Sequence, residues 1–449
     1  MTKFSALTFL LACIASSSVA GATADTLSEA ASAPESTSLA ETTPAPEIES
    51  IQADQDTKSD RYNFLRQQIS TGEANIAAEI LDGVITELED QNHRYHDSLV
   101  TPLTLLGDAK VELGELTEAV STYDRARHIA RVNDGLFSAS QIDVLYRESD
   151  ALRQLGDIST AAKREEYAYE VANRSLPQYS LELIPPLVRL SDFYIEVGSP
   201  LSARSLLNRA MVIHEHHQTN NSLEAVPVLK AIAASHRFER FPAIWVDADQ
   251  PSDDDRVAPG LRTGDLDNQV RYINSFPRGE RALQQVVTIY RAHHGDQAEE
   301  TIEALLALAD WHHMFERSHA ASTLYQHVYL AMEDNGNDAQ AFFAEPTLLY
   351  FPRPPNPDPP KLSRRGDSAQ GEVRLSFGVN PSGRVRSLKT EEVVGPRSMN
   401  FRVRRSMRVA IFRPRMEAGV ISPAPEQTFV YQFPYFELKE KNEPKDETS

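Results

Sequence analysis

The chain has 449 residues, of which 45 are Lys or Arg and 65 are Asp or Glu, so its formal net charge is −20 at pH 7. This acidic excess argues against nucleic acid as the main partner, because phosphate binding requires a basic face. The single cysteine excludes a disulfide framework and a multi-cysteine metal site. The 41% of hydrophobic residues is enough for a substantial core, and the length allows two or three domains.

The N-terminus has the pattern of an export signal. Lys3 precedes an apolar run from Phe4 to Ala20, and small residues follow up to Ala24. A membrane span needs about 20 apolar residues, so we interpret residues 1–24 as a cleaved signal peptide and expect a periplasmic protein. Two alternatives stay open: lipidation at Cys13, and retention of residues 4–20 as an inner-membrane anchor that leaves the chain facing the periplasm.

Residues 25–59 predict an acidic tether. They contain eight acidic residues and one lysine among Ala, Ser, Thr and Pro. Such a segment is too polar and too repulsive to form a core, so we expect it to be disordered.

An internal repeat with a period of 42 residues follows. It is visible in three columns of identical residues: Gly72, Gly114, Gly156 and Gly198; Ala77, Ala119, Ala161 and Ala203; Asp108, Asp150 and Asp192. Independent columns with one spacing indicate a repeat array, which we place over residues 60–338. Apolar residues at helical spacing precede and follow each glycine, so each unit is predicted to be a helix pair around a left-handed glycine turn.

The best-matched unit resembles the tetratricopeptide repeat, in a longer-helix form. The residues that carry this resemblance are Gly107, Gly114, Ala119, Tyr123 and Ala126, whereas Glu165 and Pro200 depart from the pattern in later units. The resemblance implies an α-solenoid whose first helices line a concave groove.

An acidic insertion interrupts the array at 240–277, and the repeat character returns over residues 278–295 and 298–334. The insertion contains Asp247, Asp249, Asp253, Asp254 and Asp255. A calcium site is an alternative to a solvated loop there, although the spacing does not match an EF-hand.

Aligned with the family, Asp108, Asp150, Asp192 and Asp310 all occupy one position that usually faces the groove. Such a column of carboxylates favours an extended peptide with Lys or Arg side chains, or one with free backbone donors. The alternative is that these aspartates are solvated or satisfy local helix ends.

The C-terminal part has a different character. Six prolines lie between positions 352 and 360, and residues 361–437 contain fourteen Lys or Arg against seven Asp or Glu. We therefore expect a separate domain over 345–438, followed by a charged tail over 439–449, and we predict that the basic domain docks on the carboxylate groove. Alternation at Val373, Leu375 and Phe377, a turn ending at Gly383, an Arg-rich amphipathic helix and a last strand predict a β-β-α-β order.

The segment from Gly371 to Val385, the Arg-rich helix and Phe412-Arg413-Pro414 resemble the C-terminal domain of TonB-type energy transducers. Six aromatic or proline residues correspond to positions of that domain: Tyr350, Phe351, Pro352, Phe429, Tyr431 and Phe433. The resemblance implies an α+β chain in which this domain pairs its sheet edge with a short peptide of an outer-membrane transporter.

Three functional hypotheses follow. We favour a non-enzymatic periplasmic adaptor that binds cell-envelope proteins or peptides and needs no cofactor. The second is an anchored TonB-type energy transducer, although residues 1–42 contain no histidine, which such anchors use. The third is a metal-dependent envelope enzyme that uses the histidines at 214–217, 293–294 and 312–313, for which no His-Glu-x-x-His motif exists.

Overall fold

The computed structural model describes residues 59–242, 276–358, 360 and 365–438. The predictions of a signal peptide, a tether up to residue 58, a calcium site in the insertion and a charged tail lie outside these residues. The helices of the array are α1 (59–70), α2 (Ala74–Gln91), α3 (Val100–Glu112), α4 (Leu116–Asp134), α5 (Ile142–Leu155), α6 (Ile158–Ser175), α7 (Ile184–Glu196), α8 (Pro200–His216), α9 (Val226–Arg240), α10 (Phe276–His294), α11 (Glu299–Met314) and α12 (Ser318–Asp334).

These helices form successive pairs, and the predicted repeat array is confirmed. Each pair packs its second helix on its first, and that second helix contacts the first helix of the next pair. The alanine columns lie where the helices meet, with no exposed surface at Ala77, Ala119, Ala161, Ala203, Ala126, Ala168 and Ala210. Small side chains at these positions let neighbouring helix axes approach closely, as expected for ridges packed into grooves.

The repeat glycines end the first helices. Gly156 has φ +80° and its N–H donates to the Arg153 carbonyl at 3.0 Å, which is the left-handed C-cap that the sequence predicted. Asp157 follows directly and caps α6, because its carboxylate accepts the Thr160 N–H at 3.0 Å. Two residues thus stop one helix and start the next.

A one-turn 3₁₀ helix precedes the first helix of four repeats, a feature that the sequence analysis did not predict. The four turns also keep the 42-residue period: Asp97–Leu99, Ala139–Gln141, Leu181–Leu183 and Leu223–Ala225. Ser138 and Ser180 begin two of them and accept an N–H from two residues further on. Serine hydroxyls commonly form such local hydrogen bonds at turns, and these two serines are themselves 42 residues apart.

The insertion divides one helix pair. Helix α9 packs on α10 as the two helices of other pairs do, although residues 243–275 separate them. Asp310 accordingly follows Asp192 by 118 residues, which is two repeat lengths plus 34. The predicted insertion therefore lies within the fifth repeat, whose second helix is α10.

The C-terminal region begins after a short helix, α13 (Ala339–Phe342), and contains β1 (Thr347–Tyr350), β2 (Arg365–Val379), β3 (Val385–Val394), α14 (Arg397–Val409), β4 (Ile411–Arg413), β5 (Arg415–Glu417), β6 (Val420–Ser422) and β7 (Ala424–Leu438). Its main sheet is antiparallel with the order β3-β2-β7. The predicted inward side chains of β2 and α14 form its core: Val373, Leu375, Phe377, Val379, Met399, Val403 and Met407.

The predicted β-β-α-β order is therefore observed, with two additions. Strand β1 pairs with β4, and β5 pairs with β6 in a hairpin. Each of these strands has only three or four residues, too few for alternation to reveal them.

The β5–β6 hairpin fixes this region to the last repeat. Met416 lies in one apolar cluster with Tyr325, Tyr329 and Phe343, and its N–H donates to the Phe343 carbonyl at 2.9 Å. The Ala418 N–H donates to the side-chain oxygen of Gln340 at 2.9 Å. The C-terminal domain and the sixth repeat are consequently joined by a common apolar core and not by a connecting segment alone.

Candidate functional site

The four predicted groove aspartates lie on the first helices of their repeats. We call the surface that α3, α5, α7, α9 and α11 form around Asp108, Asp150, Asp192 and Asp310 the carboxylate face. Successive first helices touch each other here, as α3 does with α5 and α7 with α9. The four carboxylates occupy equivalent positions but have different partners.

Asp108 is paired within the array. Its carboxylate accepts the Tyr123 hydroxyl at 2.7 Å and a guanidinium N–H of Arg147 from the next first helix. Burial raises the pKa of Asp108, while the Arg147 charge and the hydrogen bonds act in the opposite direction. The arginine therefore compensates a carboxylate that the fold has partly removed from water.

Asp150 repeats this pairing one unit further on. Arg189 donates to Asp150 at 3.0 Å and to Glu165 at 2.9 Å, and its guanidinium lies 4.1 Å from the centroid of the Tyr146 ring. Glu165, which departs from the family pattern, is 1% exposed and is held by this arginine. Arg153 is a second donor to Asp150 at 3.2 Å.

Asp192 is the exception. Its carboxylate has no hydrogen bond or ion pair with any residue in the described part of the chain, and its side chain is exposed. The surrounding protein removes part of its solvation, which raises the pKa of Asp192 from 3.8 to about 6. Of the four carboxylates, Asp192 is therefore the one to which a ligand could bind without displacing an arginine of the protein.

Asp310 binds an arginine from the C-terminal domain. Arg413, in β4, donates to the two carboxylate oxygens at 2.9 and 2.7 Å, and the Tyr325 hydroxyl donates at 2.8 Å. The side chains of Arg413 and Asp310 are 12% and 16% exposed. The predicted docking of the basic domain on the carboxylate groove is thus confirmed at this one carboxylate.

Removal of the Tyr123 hydroxyl tests the internal pairing. We expect Tyr123→Phe to lower the free energy of unfolding by about 1 kcal/mol, because Asp108 loses one of its two donors while it stays desolvated. Urea denaturation measures the change. Tyr95→Phe is the matched control, since Tyr95 is 41% exposed and its change is expected within about 0.5 kcal/mol. Equal losses in both variants would contradict a stabilising role for the hydroxyl.

The raised pKa of Asp192 predicts a pH-dependent stability difference. A carboxyl group whose pKa is higher in the folded chain than in the unfolded chain, about 6 against 3.8, destabilises the fold once it ionises. Asp192→Asn should therefore be more stable than the wild type above pH 6, by less than about 1 kcal/mol because the group is exposed. Below pH 4 the difference should vanish. A stability gain that is independent of pH would contradict this explanation.

Four of the six residues of the TonB-type resemblance form one aromatic cluster. Phe351 packs against Phe429 at 5.1 Å and Tyr431 at 5.8 Å between ring centroids, and Phe433 is 1% exposed. Pro352 is buried, whereas Tyr350 lies apart and packs on Phe241 at the end of α9. The structure therefore brings four of the six together: Phe351 before β2, and Phe429, Tyr431 and Phe433 on β7.

The histidines have separate environments. His214 is fully buried and bonds the Thr219 hydroxyl at 2.9 Å, His216 stacks on Tyr179, and His312 lies 3.2 Å from Glu280. Within the described ranges, no group of three or more His, Cys, Asp or Glu side chains is placed to hold a metal ion. The helices of those same ranges include none that combines the length and apolarity of a membrane span.

Comparisons with known proteins give likenesses to solved structures alone. No family model matches the chain, and no curated protein matches it. A protein with nearly identical TPR-like repeats from Podosopora anserina is 14% identical, with a TM-score of 0.40 over 53% of this chain and 96% of its own. The protein BtubC from P. vanneervenii is 13% identical, with a TM-score of 0.39 over 66% and 98%. A tetratricopeptide repeat protein from Parabacteroides merdae is 15% identical, with a TM-score of 0.27 over 62% and 95%.

Proposed function

We propose that the protein is a non-enzymatic periplasmic adaptor whose carboxylate face binds an extended, basic segment of a partner protein. The observation that supports this most directly is the contact between Asp310 and Arg413. Strand β4 is an extended segment, and it presents an arginine to a carboxylate of this face through two hydrogen bonds. The face thus has the chemistry to bind such a segment, and here it does so within one chain.

The C-terminal domain supplies the second binding surface in this proposal. Strands β3 and β7 are the outer strands of its sheet, and β7 is 15 residues long. An outer strand can accept an added strand from a partner. Pro434 lies within β7 and has no N–H to donate, so pairing along residues 424–433 is favoured. In line with the TonB-type resemblance, we propose cell-envelope proteins of outer-membrane transport as the partners of this strand.

Site-specific photo-crosslinking tests the first surface. Ala234 occupies the position of the aspartates in the fifth repeat and is half-buried on α9. Val212 lies on a second helix, α8, and is 49% exposed. A photoreactive residue at 234 should crosslink to a basic partner segment in the native host, and one at 212 should not. Equal crosslinking at both positions would overturn the proposed role of the carboxylate face.

The N-terminal residue of the mature protein tests the location. A product that begins near residue 21–25 in the soluble periplasmic fraction is the expected result. An intact N-terminus in the inner-membrane fraction would contradict the adaptor hypothesis and favour the anchored energy transducer. The next measurement would then be whether uptake depends on the proton gradient.

A further inference from the structure

Three of the four carboxylates bind a guanidinium group, and in two of them the arginine follows at a fixed spacing. Arg147 follows Asp108 by 39 residues, and Arg189 follows Asp150 by the same number, so each arginine belongs to the next first helix. Two of these carboxylates also accept a tyrosine hydroxyl from 15 positions further on: Tyr123 donates to Asp108, and Tyr325 donates to Asp310. The equivalent residue for Asp150 is Glu165, which shares Arg189 with it. Arg413 provides the guanidinium for Asp310 from a different domain.

The fourth repeat breaks this rule at both positions. The residue 39 positions after Asp192 is Ala231, and the residue 15 positions after it is Leu207. Both replacements are apolar and buried, so neither can donate a hydrogen bond to the carboxylate. Asp192 therefore retains the position of its three equivalents but has no arginine or tyrosine donor from either position.

The loss of both donors is not compensated nearby. Lys230, the neighbour of Ala231 on α9, donates to the Tyr290 hydroxyl at 3.4 Å and lies 5.3 Å from the centroid of that ring. The side chain of Arg237, further along α9, has no hydrogen bond or ion pair within the described residues, and lost solvation lowers its pKa while the Asp310 charge acts against this. Lost solvation alone raises the pKa of Asp192, with no contribution from a neighbouring charge, so Asp192 keeps an unbalanced negative charge.

We propose that Asp192 is the binding site for an arginine side chain of the partner segment. The guanidinium would bind both carboxylate oxygens as Arg413 does on Asp310. This inference rests on the proposed peptide-binding function and assigns the chemistry of its main contact. Arginine is favoured over lysine because its planar fork matches a carboxylate through two parallel hydrogen bonds.

Peptides with a single variable residue test the assignment. The probes are pools of acetylated and amidated heptapeptides with randomised flanks and a central arginine, lysine or citrulline. Citrulline keeps the shape of arginine but has no charge. Fluorescence polarisation with the full chain should show the arginine pool binding about tenfold more tightly than the citrulline pool, with lysine in between.

Two opposite substitutions then locate this preference. Asp192→Asn removes the charge with little change in shape, and Ala231→Arg restores the arginine that other repeats have at this position. Either variant should abolish the preference for arginine over citrulline. Asp150→Asn is the control, since Arg189 and Arg153 already occupy that carboxylate, and it should keep the preference. Far-ultraviolet circular dichroism verifies that each variant is folded, and Asp192→Asn alone decides the test if Ala231→Arg does not fold.

The possible results separate the two proposals. Tight binding of all pools without an arginine preference, or a preference that survives in Asp192→Asn, would overturn the assignment of Asp192 and leave the peptide-binding function intact. Binding of no pool by the wild type, together with no crosslink from position 234, would overturn both.

Discussion

Arg413→Ala should lower the free energy of unfolding of the docked sixth repeat and C-terminal domain by about 3 kcal/mol. The substitution leaves the Asp310 carboxylate desolvated with the Tyr325 hydroxyl as its remaining donor. Removing one member of a buried ion pair is strongly destabilising because the other charge remains buried without compensation. Chemical denaturation monitored by Trp311 fluorescence measures the loss, since this tryptophan lies in the same helix as Asp310 and is 3% exposed.

Removal of both charges should be better tolerated than removal of one. We expect the double variant Asp310→Asn with Arg413→Met to recover about half of the loss, because no uncompensated charge is then left. Lys389→Ala is the matched control in the same domain: Lys389 pairs with Glu426 at 3.7 Å and both are well exposed. Its expected change is below about 0.5 kcal/mol. A loss for Arg413→Ala no larger than that of the control would show that the docking does not depend on this pair.

Undocking should also be visible without denaturant. The segment between α12 and β1 is held by Phe343, which lies in the shared core with Met416. If Arg413→Ala opens this junction, proteolysis near residues 335–346 should accelerate relative to the wild type, because cleavage follows the population of locally open chains. Unchanged cleavage would mean that the apolar contacts hold the domain in place alone.

The sequence was most informative where one structural requirement recurs. A left-handed turn at Gly156 and a close helix approach at Ala161 are needed once per repeat, so four copies reveal them as columns. The same reasoning placed the aspartates on one surface. It did not predict their arginine partners, although Arg147 and Arg189 also keep the 42-residue spacing.

The contact between Asp310 and Arg413 could not be inferred in the same way. The two residues are 103 positions apart and belong to different kinds of structure, so no period connects them. General charge complementarity predicted docking on the carboxylate groove but did not identify the carboxylate. Likewise, Asp192 has no arginine partner because Ala231 stands at the position that Arg147 and Arg189 occupy in the other repeats. Ala231 is recognisable as a replacement only once the pairing of Asp108 and Asp150 is known.

Gly383→Ala should be about as destabilising as Arg413→Ala, with a loss of about 2–4 kcal/mol from strain and overlap together. Gly383 has φ +70° and ends the turn that begins at Asn380, whose carbonyl accepts the Gly383 N–H at 2.9 Å. Its own carbonyl accepts the Phe412 N–H at 2.9 Å, so the turn is bound to β4. A methyl group there would overlap the Phe412 carbonyl oxygen and the His313 ring.

Gly336→Ala separates the two contributions. Gly336 has φ +76°, close to that of Gly383, but a methyl group at Gly336 would meet no heavy atom within 4 Å. Its loss should be about 1 kcal/mol, which is the contribution of the left-handed backbone alone. The excess for Gly383→Ala then measures how firmly β4 is held against α11. Equal losses in the two variants would mean that Phe412 and His313 move aside at no cost.

The pKa of His313 shows whether Gly383→Ala separates β4 from α11. Burial at the junction lowers the pKa of His313, while the Phe412 backbone and the Asp310 charge act in the opposite direction. If Gly383→Ala separates β4 from α11, water reaches the ring and the pKa of His313 should rise toward its ordinary value of 6.5. Titration by nuclear magnetic resonance detects this rise. A destabilised variant with an unchanged His313 pKa would place the strain inside the C-terminal domain rather than at its contact with the repeats.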